Sequence, residues 1–143
     1  MKKDIIIIEY AKFFNKMGYT LAFGKIFGYL LCFNNRTFEQ IAKDLNLSKG
    51  SVSMTIKTMM QNGYLDFTIN PGERKKYFKI SFSNWQSGLT NRINVSEQFV
   101  DLLNTSLKHD SKLSKEQQKT IRRLIEFENL FQQKISEIIS EFK

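Results

Sequence analysis

Along the first third of the chain, apolar residues recur every three or four positions. Ile6, Tyr10, Phe13, Phe14 and Met17 share one helical face, and Gly18 ends that helix. Thr20 is placed to cap a second helix that runs to about Phe33. That segment is apolar on most sides, the pattern of a central, buried helix. Its Gly24 and Gly28 lie one turn apart on the same face and permit close helix packing. After the turn Asn34-Asn35-Arg36, Thr37 with Gln40 three residues on forms a capping-box pattern, and a short helix reaches Leu45. Asn46 stands where the chain needs a left-handed residue, which Asn tolerates. Ser48 caps the next helix, which stops near Asn62-Gly63.

The period then changes from helix to strand. Leu65, Phe67 and Ile69 alternate with Asp66 and Thr68; Phe78, Ile80 and Phe82 alternate with Lys79 and Ser81. The turn Asn70-Pro71-Gly72-Glu73-Arg74 joins the two runs into an antiparallel hairpin. Two long helices follow. Trp85, Leu89, Ile93, Ser96, Val100, Leu103 and Leu107 form one stripe. A polar break at Lys108 to Lys112 precedes a second capping-box pattern, Ser114 with Gln117. The last stripe is Ile121, Leu124, Ile125, Phe131, Ile135, Ile138, Ile139 and Phe142. Phe127 and Leu130 widen it beyond what one intrachain contact requires.

This order predicts a mainly α fold with a small β-hairpin wing: a winged helix-turn-helix with long N- and C-terminal dimerisation helices. The chain reads as a single domain, 1–143. The winged DNA-binding region spans 20–83, and the dimerisation helices span 1–17 and 84–143.

The functional signal lies between Gln40 and Ile56. A helix-turn-helix needs a small residue where its helices cross, supplied by Ala42. Ile41, Leu45, Leu47, Val52 and Ile56 stand at the offsets that lock the two helices, around the turn Asn46-Leu47-Ser48. The second helix should then carry side chains that reach base edges in the major groove. An ordinary three-helix core shows similar offsets. The basic hairpin that follows at once is what shifts the reading to a winged helix, because a tip carrying Arg74, Lys75 and Lys76 can enter the minor groove or grip phosphates. The expected DNA-binding residues are Thr37, Ser48, Lys49, Gly50, Ser51, Ser53, Met54, Thr55, Lys57 and Thr58, with Arg74, Lys75 and Lys76 on the wing.

The run Ser48-Lys49-Gly50-Ser51-Val52-Ser53-Met54-Thr55-Ile56-Lys57, followed by Pro71-Gly72-Glu73-Arg74-Lys75, resembles the GbsR branch of the MarR-type transcriptional regulators. Gly24-Lys25-Ile26-Phe27-Gly28-Tyr29-Leu30-Leu31 resembles the segment that precedes the motif in that branch. The resemblance covers Gly24 to Ile80; in the terminal helices only the amphipathic layout matches. It implies a homodimer whose N- and C-terminal helices interlock and whose two winged regions straddle a pseudo-palindromic operator. Some members of that branch sense a small molecule, but no residue here identifies one.

Charge agrees with a polyanionic partner. Lysine and arginine number 22 against 14 acidic residues, a formal net charge of +8. Catalytic chemistry finds little support. His109 is the single histidine and lies in a polar segment with no nucleophile beside it. With Cys32 the single cysteine, the chain has only two Cys or His residues, too few for the several ligands at short spacing that a zinc site wants, and no glycine loop cradles a phosphate. Neither cofactor nor metal is expected, and the chain reads as a non-enzyme. Cys32 sits among Leu30, Leu31 and Phe33 and reads as a small core residue, with redox sensing left open. Tyr10, Phe13, Phe23, Phe27 and Trp85 offer an aromatic set that either forms core or lines a pocket for a quaternary ammonium effector. Such an effector would act on the spacing of the two wings. The segment Met1 to Glu9 lacks a signal-peptide cleavage pattern, and no run approaches the ~20 apolar residues of a membrane span. The expectation is therefore a cytoplasmic homodimer that binds a double-stranded DNA operator, acts as a repressor, has no membrane partner, and has a small-molecule effector as an open partner. A winged-helix protein-interaction module and a non-specific architectural DNA binder are the alternatives.

Overall fold

The computed structural model describes residues 2–109 and 112–142. The helices are α1 (Lys2–Lys16), α2 (Leu21–Cys32), α3 (Phe38–Asp44) and α4 (Lys49–Gln61), followed after the hairpin by α5 (Phe82–His109) and α6 (Lys115–Glu141). The hairpin strands are β1 (Asp66–Ile69) and β2 (Lys76–Lys79). The chain forms two compact units, residues 1–88 and 89–143. The polar break expected at 108–112 includes residues 110 and 111, which lie outside the described residues.

In the first unit, α2 is the central helix that its all-round apolar pattern predicts. Ile26 and Leu30 are fully buried, together with Ile41 of α3, Val52 and Met59 of α4, and Leu65. The helix starts where Thr20 accepts a hydrogen bond from the Phe23 amide, relieving one of the orphan donors of the first turn. Alpha-helix α1 lies against it at near backbone contact. A Cβ added to Gly24 would stand 2.5 Å from Ala11 Cα and 2.6 Å from the Tyr10 carbonyl oxygen, so only glycine fits at this crossing. A second close approach occurs at Gly63, which holds φ +77° and whose added Cβ would meet Gly88 Cα.

Of the aromatic set, Phe23 and Phe27 are buried in the core, Tyr10 is half-buried, and Trp85 stands 38% exposed. Phe14, Tyr19, Phe23, Phe27, Tyr64 and Trp85 form a chain of ring contacts, with centroids 4.3 to 6.5 Å apart. Tyr10 packs on Phe27, while Phe13 stands 55% exposed. Cys32, at the end of α2, is half-buried and not sealed in the core.

The helix-turn-helix forms through the predicted local devices. Thr37 and Gln40 make a reciprocal capping box, Asn46 takes φ +53°, and Ser48 accepts from the Ser51 amide. Strand β1 pairs antiparallel with β2, Phe67 opposite Phe78 and Ile69 opposite Lys76. Two differences from the sequence reading appear here. Phe82, expected on the second strand, begins α5 and is exposed: the strand ends at Lys79, and the Ser81 hydroxyl accepts from the Asn84 amide, starting the helix instead. Arg36, expected in a plain turn, pairs with Phe78 through two backbone hydrogen bonds of 3.1 and 2.8 Å. That bridge ties the loop before α3 to the wing.

In the second unit α5 continues and α6 follows it. Ser96 of α5 is buried and donates to Glu128 of α6 at 3.1 Å, while Gln132 donates to Ser96 at 2.9 Å. This polar triplet sits in an otherwise apolar seam with Leu103 buried beyond it. Alpha-helix α6 begins with the predicted capping box of Ser114 and Gln117.

Candidate nucleic-acid interface

The sequence-selected residues fall into three places. The outer face of α4 carries most of them. Val52, Ile56 and Met59 turn into the core, and the helical period therefore carries Lys49, Gly50, Ser53, Met54, Lys57 and Thr58 outward. Met54 is 75% exposed, an unusual position for a large thioether. Ser51 is half-buried, and Ser48 is exposed but holds its hydroxyl against the Ser51 amide at 3.1 Å. The exposed strip thus combines two cations, short hydroxyls, a bare glycine backbone and one thymine-sized apolar tip.

The wing carries the second group. Its turn closes with the Glu73 amide donating to the Asn70 carbonyl, with Gly72 at φ +80°. Arg74 and Lys75 are exposed just past the turn. Lys76 is already within β2 and lies 4.5 Å over the Phe67 ring, so its charge sits at the wing's flank and not at the tip. The Tyr77 hydroxyl donates to the Glu73 carboxylate at 2.7 Å, which raises the tyrosine's pKa. A cleft of about 390 Å³ separates Arg74, Lys75 and Lys76 from Phe38 and Glu39 at the start of α3.

Two expected contacts are placed elsewhere. Thr37 is only 6% exposed, and its hydroxyl accepts from the Gln40 amide, so it builds the α3 cap and offers no free surface. Thr55 is only 7% exposed. It lies three residues after Val52 and beside Ile56, on the flank of α4 that faces the start of α2, and so does not share the outer strip. Helical spacing limits such a residue to one flank; which flank α2 covers is settled only by packing.

The sequence reading also passed over a polar junction behind the motif. Tyr29 of α2 is buried and donates to Asp44 of α3 at 2.5 Å. Burial, then the hydrogen bond and negative charge of Asp44, push its pKa up to about 12, with Arg36 opposing. The Phe33 ring beside it has Lys3 at 4.2 Å and Arg36 at 5.4 Å from its centroid. No signal in single-residue patterning marks this junction, because Tyr29 and Asp44 are fifteen positions apart. Among the described residues no group of histidine, cysteine or carboxylate side chains could hold a metal ion, and no helix is long and apolar enough to cross a membrane.

No family model matches the chain. A curated relative, the HTH-type transcriptional regulator MmpR5 of Mycobacterium tuberculosis, is 24% identical over 98 residues. That match covers 67% of this chain, and the chain spans 59% of the length of that relative. The crystal structure of a transcriptional regulator superposes with a TM-score of 0.88 at 18% identity, covering 99% of this chain and 98% of that one. NMB1585, a MarR family regulator from Neisseria meningitidis, is 18% identical with a TM-score of 0.45, covering 98% and 92%. The chain has the winged helix-turn-helix fold of that first regulator, mostly helical with a two-stranded antiparallel hairpin.

Proposed function

We propose that this protein is a sequence-specific DNA-binding transcriptional regulator of the MarR type, of its GbsR-like branch, without catalytic activity of its own. It works as a cytoplasmic homodimer that represses by occupying an operator. The observation that carries this reading is the outer strip of α4. Lys49, Gly50, Ser53, Met54 and Lys57 are exposed together on a helix held rigidly from behind by Val52, Ile56 and Met59, beside a hairpin presenting Arg74 and Lys75. Rigid support behind a donor-rich face is what base-edge recognition requires, and flanking cations add the sequence-blind attraction to phosphate. The likeness to MmpR5 and to the transcriptional regulator of the same fold supports the assignment.

The second copy is inferred from uncovered apolar surface. Within the first unit α1 leaves Ile5, Ile6, Ile8 and Phe13 exposed, and Met17 just after it is exposed too. Within the second, α6 turns one stripe inward through Ile121, Ile125 and Ile135 and leaves Leu124, Phe127, Leu130 and Ile138 open. Apolar surface on that scale marks an interface. A second copy suits it because an operator with two half-sites needs two recognition helices about 34 Å apart.

Selection of bound duplexes from a random pool, followed by competition titration, tests the function. A regulator prefers its selected site over random DNA by about a thousandfold or more. A ratio near unity would instead establish an architectural binder, and no binding at all an interaction module.

A further inference from the structure

The flank of α4 that carries Thr55 forms one wall of a cleft of about 310 Å³. The opposite wall is the turn before α2 and that helix's first turn, with Tyr19, Thr20 and Ala22; Ser51 and Thr58 stand beside Thr55. Three features of this cleft point the same way. First, it is the N-terminal end of a twelve-residue helix. Thr20 satisfies the Phe23 amide, and the amides of Leu21 and Ala22 have no acceptor among the described residues. Such an end carries orphan donors and a partial positive charge.

Second, Thr55 is 93% buried by its 7% exposure, yet its hydroxyl bonds to no described residue. Among those residues no side-chain nitrogen or oxygen is both sealed from solvent and without a partner, so the Thr55 hydroxyl opens onto the cleft. A nearly buried hydroxyl left without a protein partner calls for one from outside. Third, the lining contains no charged side chain at all. The cleft offers hydroxyls and amides, the donor set that holds an oxyanion by hydrogen bonds at a helix N-terminus.

We propose that this cleft seats a backbone phosphate of the DNA that α4 enters, held by the hydroxyls of Thr55 and Ser51 and the first-turn amides of α2. The proposal rests on the DNA-binding reading given above. A helix about 10–12 Å across fills a major groove about 12 Å wide, so phosphate walls run along both its flanks. On this flank of α4 the start of α2 closes a pocket at that wall. Thr55 is therefore a positioning contact that reads no base, and the donors that the protein offers to the phosphate are neutral.

A neutral phosphate contact has a distinctive signature. Thr55→Val keeps the shape of the side chain and deletes the hydroxyl. It should weaken binding to operator and to random duplex alike, by about tenfold. The slope of affinity against salt should stay unchanged, because no cation is lost. Thr55→Ser should restore binding. Ser51→Ala, at a half-buried position that tolerates truncation, should weaken both duplexes in the same way and serves if Thr55→Val melts early. Loss confined to the operator would make Thr55 a base contact and overturn the proposal. Equal binding by Thr55→Val and wild type would overturn it as well.

Free phosphate has the same chemistry and needs its own arm. Inorganic phosphate added at constant ionic strength should give no saturable shift of the Leu21 and Ala22 amide resonances in the millimolar range. Saturable binding there, with DNA affinity indifferent to Thr55→Val, would assign the cleft to a free anion and overturn the DNA assignment. A wild type that binds no duplex sinks the DNA reading and this proposal together. A wild type that binds while Thr55→Val binds equally well sinks the cleft alone.

Discussion

Tyr29 shows how a single side chain couples the central helix to the motif. Its hydroxyl donates to Asp44 from a buried position, and its pKa is pushed up to about 12 from an ordinary 10. The folded state thus holds the phenolic proton more tightly than the unfolded chain does. This contribution to stability is complete below pH 10 and is lost as pH rises toward 12. In Tyr29→Phe that alkaline loss should shrink, which denaturant midpoints measured across this range will show. Gly24 makes a second residue-scale case. Gly24→Ala gains helix propensity of up to about 1 kcal/mol, but its Cβ falls 2.5 Å from the α1 backbone. Backbone cannot yield as a flexible side-chain tip can, so overpacking of roughly 1–3 kcal/mol or more wins. Calorimetry should find the melting temperature several degrees lower; an unchanged or higher value would mean that α1 is free to move away.

At the scale of elements, recognition helix and wing divide the work. Lys57 and Arg74 are exposed cations on separate elements. Arg74→Ala should weaken operator and random DNA together and reduce the salt slope by about one unit if the guanidinium neutralises a phosphate. Met54→Ala, by contrast, removes an apolar tip from the outer face of α4 and should cost only the operator complex, by about 1–3 kcal/mol if the thioether meets a thymine methyl. Equilibrium titrations at several salt concentrations separate the two patterns. Caps are the other element-scale device. Ser114 accepts from the Gln117 amide, and Ser114→Ala should destabilise α6 by about 1 kcal/mol, visible as a lower denaturant midpoint.

For the whole molecule the governing quantity is apolar surface with nothing on it. The second unit contains one buried apolar side chain, Leu103, among its described residues, against the long list in the first. A pair of helices of 28 and 27 residues has little reason to stay folded on so thin a seam. A second copy covering Phe127, Leu130 and Ile138 supplies the missing burial. Light scattering should therefore report a dimer down to micromolar concentration, and deletion of residues 115–143 should give monomer or aggregate. A monodisperse monomer of the full chain would end the homodimer proposal. Phe127→Glu, placing a charge in that surface, should favour monomer without touching α4.

Much of this protein was legible in single-chain patterns because the devices involved are local. Thr20, Thr37, Ser48 and Ser114 each bond an amide three positions on, so capping is written within one turn of chain. Asn46 at positive φ and the switch from period 3.6 to period 2 after Gly63 are local in the same sense. What local pattern cannot contain is which flank of a helix another element covers. Thr55 and Met54 are neighbours of equal promise in the sequence, yet α2 buries one and leaves the other in solvent. Tertiary structure likewise decided that Arg36 pairs with Phe78. Of the aromatic set, Phe23 and Phe27 became core because Tyr64 arrived from a distant segment to pack on both rings. Each of these outcomes depends on partners many residues away, whose arrival is a matter of packing and not of periodicity.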